Sequence, residues 1–299
     1  MVKQITKMFA KVYVVILLTG AMCAAAYAAD VEDSEAAAAA ETEASPAVVA
    51  YTEISLFLNG DYVGEGMSID SVTYVPLLAF CESILGEDCI SSWDAETDTC
   101  VINNDSIEIT LTVFDNYLVA NGRCVYLPDG ALNINGTVML PIRDIATVFS
   151  LEIAWDEASW TVSIDSSDME ILVSGDEFYN EEDLYWLSRV ISSEAGNQPL
   201  EGKIGVGNVV INRLNDDSGI FSDSIKGVIF QEGQFDVVES GAIYLEPNEE
   251  SVVAAKLCLE GVNTVGDSQY FFNPDVSGGG WIAKNKTHAV TIGNHAFYA

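Results

Sequence analysis

Glu194 is the residue whose type and position point most directly to chemistry. It ends a stretch beginning at Asn180 that has the marks of a helix. Asn180 is an N-cap type, and Glu181, Glu182 and Asp183 fill the first turn, where the helix dipole favours acids. Asn180 and Asp183 also have capping-box spacing. At about 100° per residue, Leu187, Val190 and Ile191 fall within about 60° of Glu194, so its carboxyl projects from the apolar stripe. There the ionised form loses hydration and meets the negative end of the helix, and both effects raise its pKa. A carboxyl that keeps its proton near neutral pH is what a general acid needs. The competing reading is a helix that ends early and leaves Glu194 in solvent.

The neighbouring elements must hold that group in place. Ala195-Gly196-Asn197-Gln198-Pro199 reads as a helix stop, with glycine at the turn and proline barring continuation. Glu201 to Leu214 is apolar on several faces and reads as a central buried helix, with Gly205 and Gly207 allowing close approach. It lacks the Gly-Lys-Ser/Thr ending of a phosphate loop. Asn248, Glu249 and Glu250 open another capped helix that runs to Gly261. Ser277-Gly278-Gly279-Gly280-Trp281 reads as a flexible loop carrying an aromatic, placed either to close over a ligand or as a hairpin excursion. Gln234, Tyr270, Asn273 and His295 offer hydrogen bonds to a polar ligand, against a plainer role in turns and core. Glu232 and Asp236 are candidates for a second carboxylate, with solvated surface acids the favoured reading.

Upstream, the pattern changes to strands. Ile54 to Leu58 is followed by the hairpin signal Asn59-Gly60. A repeat follows. Tyr74-Val75-Pro76-Leu77 leads to Trp93-Asp94 and Cys100-Val101-Ile102; Met139-Leu140-Pro141-Ile142 leads to Trp155-Asp156 and Thr161-Val162-Ser163-Ile164. Each copy reads as strand, proline at helix position N1, short helix, and two strands joined by a Trp-Asp turn. Trp93, Trp155 and Trp160 are expected as core aromatics in preference to a sugar-stacking surface.

Charge and the N-terminus bound the class of function. The 299 residues hold 12 Lys and Arg against 46 Asp and Glu, a net of −34, which opposes binding to nucleic acid and to anionic lipid. Residues 1–28 carry Lys3, Lys7 and Lys11, an apolar run from Val12 to Leu18, and Ala26-Tyr27-Ala28 as a cleavage signal, so they read as a signal peptide and not a membrane span. Residues 29–52 are a low-complexity spacer. Export permits disulfides among Cys81, Cys89, Cys100 and Cys124, whose three pairings stay open; Cys258 reads as a buried free thiol. No spacing suggests zinc, and His288 and His295 are the only histidines, so no metal and no cofactor are expected.

Two resemblances join these readings. The doubled Val-Pro-Leu, Trp-Asp and Thr-Val-x-Ile pattern around Asn121-Gly122 and Asn135-Gly136 resembles the copper amine oxidase N-terminal-type domain, over residues 53–165. That resemblance implies a stalk or binding unit on an exported wall protein; with no histidine in the region it does not imply copper. After a linker at 166–179, residues 180–299 resemble the cell wall hydrolase family of the spore cortex-lytic enzyme. The matching runs are Ser193-Glu194-Ala195, Val206-Gly207-Asn208-Val209-Val210-Ile211-Asn212-Arg213-Leu214, Val228 to Phe235, Tyr270-Phe271-Phe272-Asn273-Pro274, and Ile292-Gly293-Asn294-His295.

The resemblance implies an α+β protein: a β-rich duplicated stalk, then a lysozyme- or transglycosylase-like α+β catalytic domain. It implies cleavage of the bond between N-acetylmuramic acid and N-acetylglucosamine in peptidoglycan, in the cell wall, with Glu194 as acid/base. Gln234 and Tyr270 are read as cleft lining on the strength of their motifs. One departure stands out: many relatives have Glu-Ala-Arg-Gly-Glu where this chain has Glu194 to Gln198, so the second acid is missing. A lytic transglycosylase can work with one carboxyl, whereas ordinary glycosidases need two. The rivals are a two-carboxylate muramidase and a non-catalytic peptidoglycan-binding protein.

Overall fold

A computed structural model describes residues 12–16, 48–86 and 88–299. The expected cleavage site and most of the expected signal peptide and spacer lie outside the described residues. In chain order the elements begin with β1 (Val12–Ile16), β2 (Val48–Leu58), β3 (Asp61–Ile69), β4 (Val72–Pro76), α1 (Leu77–Leu85), β5 (Ile90–Asp94) and β6 (Thr99–Asn103). There follow β7 (Glu108–Thr112), β8 (Tyr117–Ala120), β9 (Arg123–Tyr126), β10 (Leu132–Ile134), β11 (Thr137–Pro141), α2 (Ile142–Val148), β12 (Glu152–Asp156) and β13 (Thr161–Asp165). The remainder is α3 (Gly175–Phe178), α4 (Glu181–Ala195), α5 (Leu200–Leu214), α6 (Ile225–Phe230), α7 (Asp236–Glu239), α8 (Glu249–Leu259), β14 (Tyr270–Phe272), α9 (Gly280–Asn285), β15 (His288–Ile292) and β16 (His295–Tyr298). The fold is α+β, and among the described residues no helix is long and apolar enough to cross a membrane.

The chain forms two compact units. The first holds the described residues up to 104, with 112–116 and 129–170. Its sheet runs β10-β11-β4-β3-β2-β13-β12, with β1 also paired to β2. The Asn59-Gly60 turn joins β2 to β3 with both residues left-handed (φ 52° and 94°), the twist a tight hairpin needs. The expected repeat is present as β4-α1-β5-β6 and β11-α2-β12-β13, and the two copies meet where β4 pairs antiparallel with β11. Pro76 and Pro141 stand one residue earlier than expected, as extended N-caps closing the strands. Proline suits that place because it has no N–H to leave unpaired.

The tryptophans do not sit in the core. Trp93, Trp155 and Trp160 are 43%, 41% and 40% exposed. The reason is that β5 and β12 are the end strands of their sheets and are left uncovered: every residue of β5 is exposed and only Ile153 of β12 is partly covered, while the paired strands β6 and β13 do carry buried residues. A strand-like pattern therefore does not guarantee that a face is covered. The five cysteines among the described residues are free thiols as well. Cys124, expected among a cluster of four, lies instead in the core of the second unit.

The second unit holds residues 105–111, 117–128 and 171–299; its boundary at 170/171 falls inside the 166–179 stretch read as a linker, and two short segments from before it join this unit as well. Its core packs α4 on α5 and α8, with Ile191, Ile204, Val209, Val210, Leu257 and Phe297 fully buried. The two α5 glycines make that packing possible. A Cβ on Gly205 would stand 2.8 Å from both Phe297 and Val265, and one on Gly207 would stand 2.6 Å from the Cys258 sulfur.

Arg123 of β9 ties the 117–128 segment into this unit. Its Nε and Nη2 donate to the two carboxylate oxygens of Glu260 at 2.9 and 2.6 Å. The Tyr179 hydroxyl donates to the same carboxylate at 2.6 Å, and the guanidinium lies 3.5 Å from the Phe178 ring centroid. Both charged side chains are largely buried, so removing one strands the other in a poorly solvated place. Glu260→Ala should therefore lower stability by about 3 kcal/mol, seen as a lower denaturant midpoint at unchanged slope.

Candidate active site

The helix carrying Glu194 begins as the sequence predicts: the Asn180 side chain accepts from the backbone N–H groups of Glu182 and Asp183. It runs to Ala195, which disposes of the early-ending alternative. Gly196 stands at the C-cap as expected, with right-handed backbone (φ −56°). The turn is held by Gln198. Its buried side chain accepts from the Asn294 N–H at 2.8 Å, and its carbonyl accepts from Lys203 Nζ at 2.6 Å. Lys203 in turn pairs with Glu250. Gln198, where the resemblance implies a second acid, is here a structural amide joining the α4–α5 turn to the β15–β16 turn.

A cleft of about 560 Å³ opens beside Glu194, and all five expected residues line it: Glu194, Gln234, Tyr270, Asn273 and His295. Glu194 is half-buried and its carboxylate has no hydrogen-bond partner among the described residues. Its pKa is pushed up to about 7, first by burial and then by the nearby charge of Asp236, while Arg213 pulls the other way. Of the two second-carboxylate candidates, Asp236 lines the cleft and Glu232 does not. Asp236 is solvent-exposed at the start of α7.

His295 is 7% exposed, with Nδ1 buried and unpartnered and its ring 5.1 Å from that of Phe271. Burial lowers its pKa, so it is a neutral imidazole offering one donor and one acceptor. Tyr270 lies edge-on to Trp281 at 6.0 Å, with Lys286 Nζ 4.5 Å from its ring centroid. Asn273 fills both of its expected roles: it lines the cleft, and its Oδ1 accepts from the Asp275 N–H at 2.9 Å to shape the turn. The expected flexible loop at 277–281 ends in the short helix α9. Gly279 is left-handed (φ 68°) under the Phe272 ring, where a Cβ would clash at 2.2 Å, and this sharp turn brings Trp281 to the cleft.

Arg213 is the cleft residue that sequence reasoning passed over. It lies in the last turn of α5, where a basic residue reads simply as complementing the helix dipole. In the structure it is 5% exposed. Its Nε donates to the Gln269 carbonyl at 2.8 Å, Nη1 is buried without a partner, and Phe235 and Tyr270 flank it at 5.1 and 5.7 Å. Burial lowers its pKa to about 10, which leaves it cationic at neutral pH. The cleft thus combines one proton-holding carboxyl, a buried cation, a neutral imidazole and aromatic walls. Among the described residues no group of three His, Cys, Asp or Glu could hold a metal ion.

Comparison with known proteins agrees with both resemblances. Residues 197–298 match the Cell Wall Hydrolase family, and residues 58–164 match the copper amine oxidase N-terminal domain. The first match begins just after Glu194. The spore cortex-lytic enzyme of Oceanobacillus iheyensis is 36% identical over 119 residues, 40% of this chain and 42% of that protein. That of Bacillus subtilis is 34% identical over 119 residues, 40% of this chain and 38% of that protein. The chain thus spans less than half the length of these relatives. Among solved structures, the catalytic domain of the Bacillus cereus SleB protein is 31% identical, with 40% of this chain and 92% of that chain covered and a TM-score of 0.38. The catalytic domain of the germination-specific lytic transglycosylase SleB from Bacillus anthracis is 30% identical, with 43% and 100% covered and a TM-score of 0.38.

The raised pKa of Glu194 has a consequence for stability. The folded state holds this proton more tightly than the unfolded chain does, so the stabilisation is complete below the unfolded carboxyl range and is lost as pH rises through about 7. Glu194→Gln removes that dependence. Relative to the parent, the variant should gain stability between pH 5 and pH 8, measured by denaturant unfolding at the two values; an unchanged difference would place the carboxyl in solvent.

Proposed function

We propose that this chain is an exported enzyme of the cell wall that cleaves the glycosidic bond between N-acetylmuramic acid and N-acetylglucosamine in peptidoglycan, as a lytic transglycosylase. The observation that carries the reading is Glu194: a half-buried carboxyl, poised near pH 7, on the wall of a cleft lined by sugar-compatible groups. The N-terminal segment 1–28 acts as the signal peptide, and the substrate is the glycan strand, with no cofactor and no nucleic acid involved.

Protonated Glu194 donates to the glycosidic oxygen as the bond to the muramic C1 breaks, leaving an oxocarbenium-like centre. The C6 hydroxyl of the same sugar attacks C1, and its proton passes to the Glu194 carboxylate. The product is a 1,6-anhydro sugar, no water is consumed, and the acid is restored. Arg213 steadies the carboxylate while it is ionised. His295, Gln234, Tyr270 and Asn273 orient the sugars through hydroxyl and acetamido groups, and Trp281 supplies an apolar face.

Asp236 supports a second reading. It stands close enough to Glu194 to raise its pKa, and as an exposed carboxylate on the same cleft it could activate a water. A muramidase of that kind leaves a reducing muramic end. Mass spectrometry of digested wall separates the two, because the anhydro product is lighter by one water. Glu194→Gln should abolish muropeptide release with the fold intact. Asp236→Asn should leave anhydro products in place; loss of all release in this variant, with reducing ends from the parent, would establish the second reading. Binding to wall with no release by the parent chain would show a non-catalytic protein.

A further inference from the structure

The duplicated unit contains an internal comparison. The β5–β6 hairpin turns through Ala95 to Asp98, and the β12–β13 hairpin turns through Glu157 to Trp160. The two turns are built alike: Asp94 Oδ1 accepts from the Glu96 N–H, and Asp156 Oδ1 accepts from the Ala158 N–H, both at 2.9 Å. Their last residues are both left-handed, Asp98 at φ 52° and Trp160 at φ 55°. Aspartate tolerates that backbone, whereas a bulky residue there is strained by about 1–2 kcal/mol. The second repeat thus carries a costly tryptophan in a slot that the first fills cheaply, and that tryptophan is 40% exposed.

Trp160 meets Trp155 with ring centroids 5.9 Å apart and planes at 87°. Two perpendicular rings bound a corner, which suits a compact cation against their faces better than a flat sugar ring laid along one platform. The corner is part of a cavity of about 630 Å³ whose wall also includes Asp70, Asp129, Asp144 and Glu157. Asp144 has its Oδ2 buried with no hydrogen-bond partner. Arg143, the only Lys or Arg among the described residues of this unit, is exposed and also lines the cavity, against four acids. The carboxylates are spread around the wall: among the described residues no three such groups gather to hold a metal ion.

We propose that the cavity beside Trp155, Trp160 and Asp144 is a second binding site, specific for an organic ammonium group. Two sources in a wall polymer carry that chemistry: an amino sugar lacking its acetyl group, and the side-chain amine of a wall peptide. The tryptophan faces take the cation and its adjoining carbons, and the Asp144 carboxylate accepts from the ammonium N–H.

Calorimetric titration of the full chain tests this with three probes: a glucosamine oligosaccharide, its fully N-acetylated counterpart, and a short peptide with a free lysine amine. At least one free-amine probe should bind, the tighter of the two identifying the source, and the acetylated sugar should bind at least about tenfold more weakly. Trp160→Asn places a residue that accepts left-handed backbone in the slot. It should keep or raise the thermal midpoint while weakening amine binding about tenfold or more, and Asp144→Asn should weaken it similarly. A merely structural Trp160 would show the reverse, lost stability with unchanged binding. That result, equal binding of acetylated and free amino sugar, or failure of both amine probes to bind would overturn the proposal.

Discussion

The second unit is organised around the cost of keeping a carboxyl at the edge of an apolar core. Glu194 leaves α4 on the side of Leu187, Val190 and Ile191, all fully buried against α5 and α8. An ionised carboxylate there forfeits hydration, and no hydrogen bond among the described residues replaces it. Asp236 adds repulsion and Arg213 offsets part of it. The balance leaves the proton neither locked on nor readily lost. Closer contact with Arg213 would ionise the group permanently, and deeper burial without Arg213 would leave an acid too weak to give up its proton.

Helix α5 sets that balance because it is both the tightest packing element and the polar spine. Gly205 and Gly207 let Phe297 and Cys258 approach its axis. Between these contacts its polar side chains strap the following loop. Asn208 donates to the Val262 carbonyl and accepts from the Thr264 N–H, and Asn212 donates to the carbonyls of Gly266 and Ser268. Arg213 reaches Gln269, one residue before Tyr270. The same helix therefore carries the buried cation and fixes the strand that brings Tyr270 to the cleft. A buried helix with this many polar groups is tolerable because most find backbone partners. The Arg213 Nη1 that does not is the one beside the cleft.

What the sequence made legible follows the range of each signal. Asn180, the acidic first turn and the stripe at Leu187, Val190 and Ile191 are local, and they placed α4 and the face of Glu194. Gln234, Tyr270, Asn273 and His295 stood in motifs whose residues converge on one cleft. Arg213 was missed because a basic residue in a last helical turn already has an ordinary explanation. The tryptophans were misplaced because alternation says which residues share a face and not whether anything covers it. Cys124 was grouped with its sequence neighbours, but its strand belongs to the helical unit through Arg123 and Glu260, 137 residues apart. Pairings at that separation leave no trace in spacing.

The charge of −34 is a property of the chain and not of its sites. From residue 30 to 177 the only basic residues are Arg123 and Arg143. Arg123 is consumed by Glu260 in the second unit, which leaves the first unit close to uniformly acidic. Such a surface repels any anionic polymer at distances up to the Debye length, about 8 Å at physiological salt. On the proposed function, a protein of this composition must gain attachment to the wall from short-range recognition that outweighs the repulsion. In the cleft the proposed recognition is hydrogen bonding around Glu194, a carboxyl whose pKa is pushed up to about 7. At the proposed second site the acidity of the first unit itself becomes usable, because the Asp144 carboxylate lines the same cavity as the two tryptophans and attracts a free amine, a group whose charge is opposite to its own.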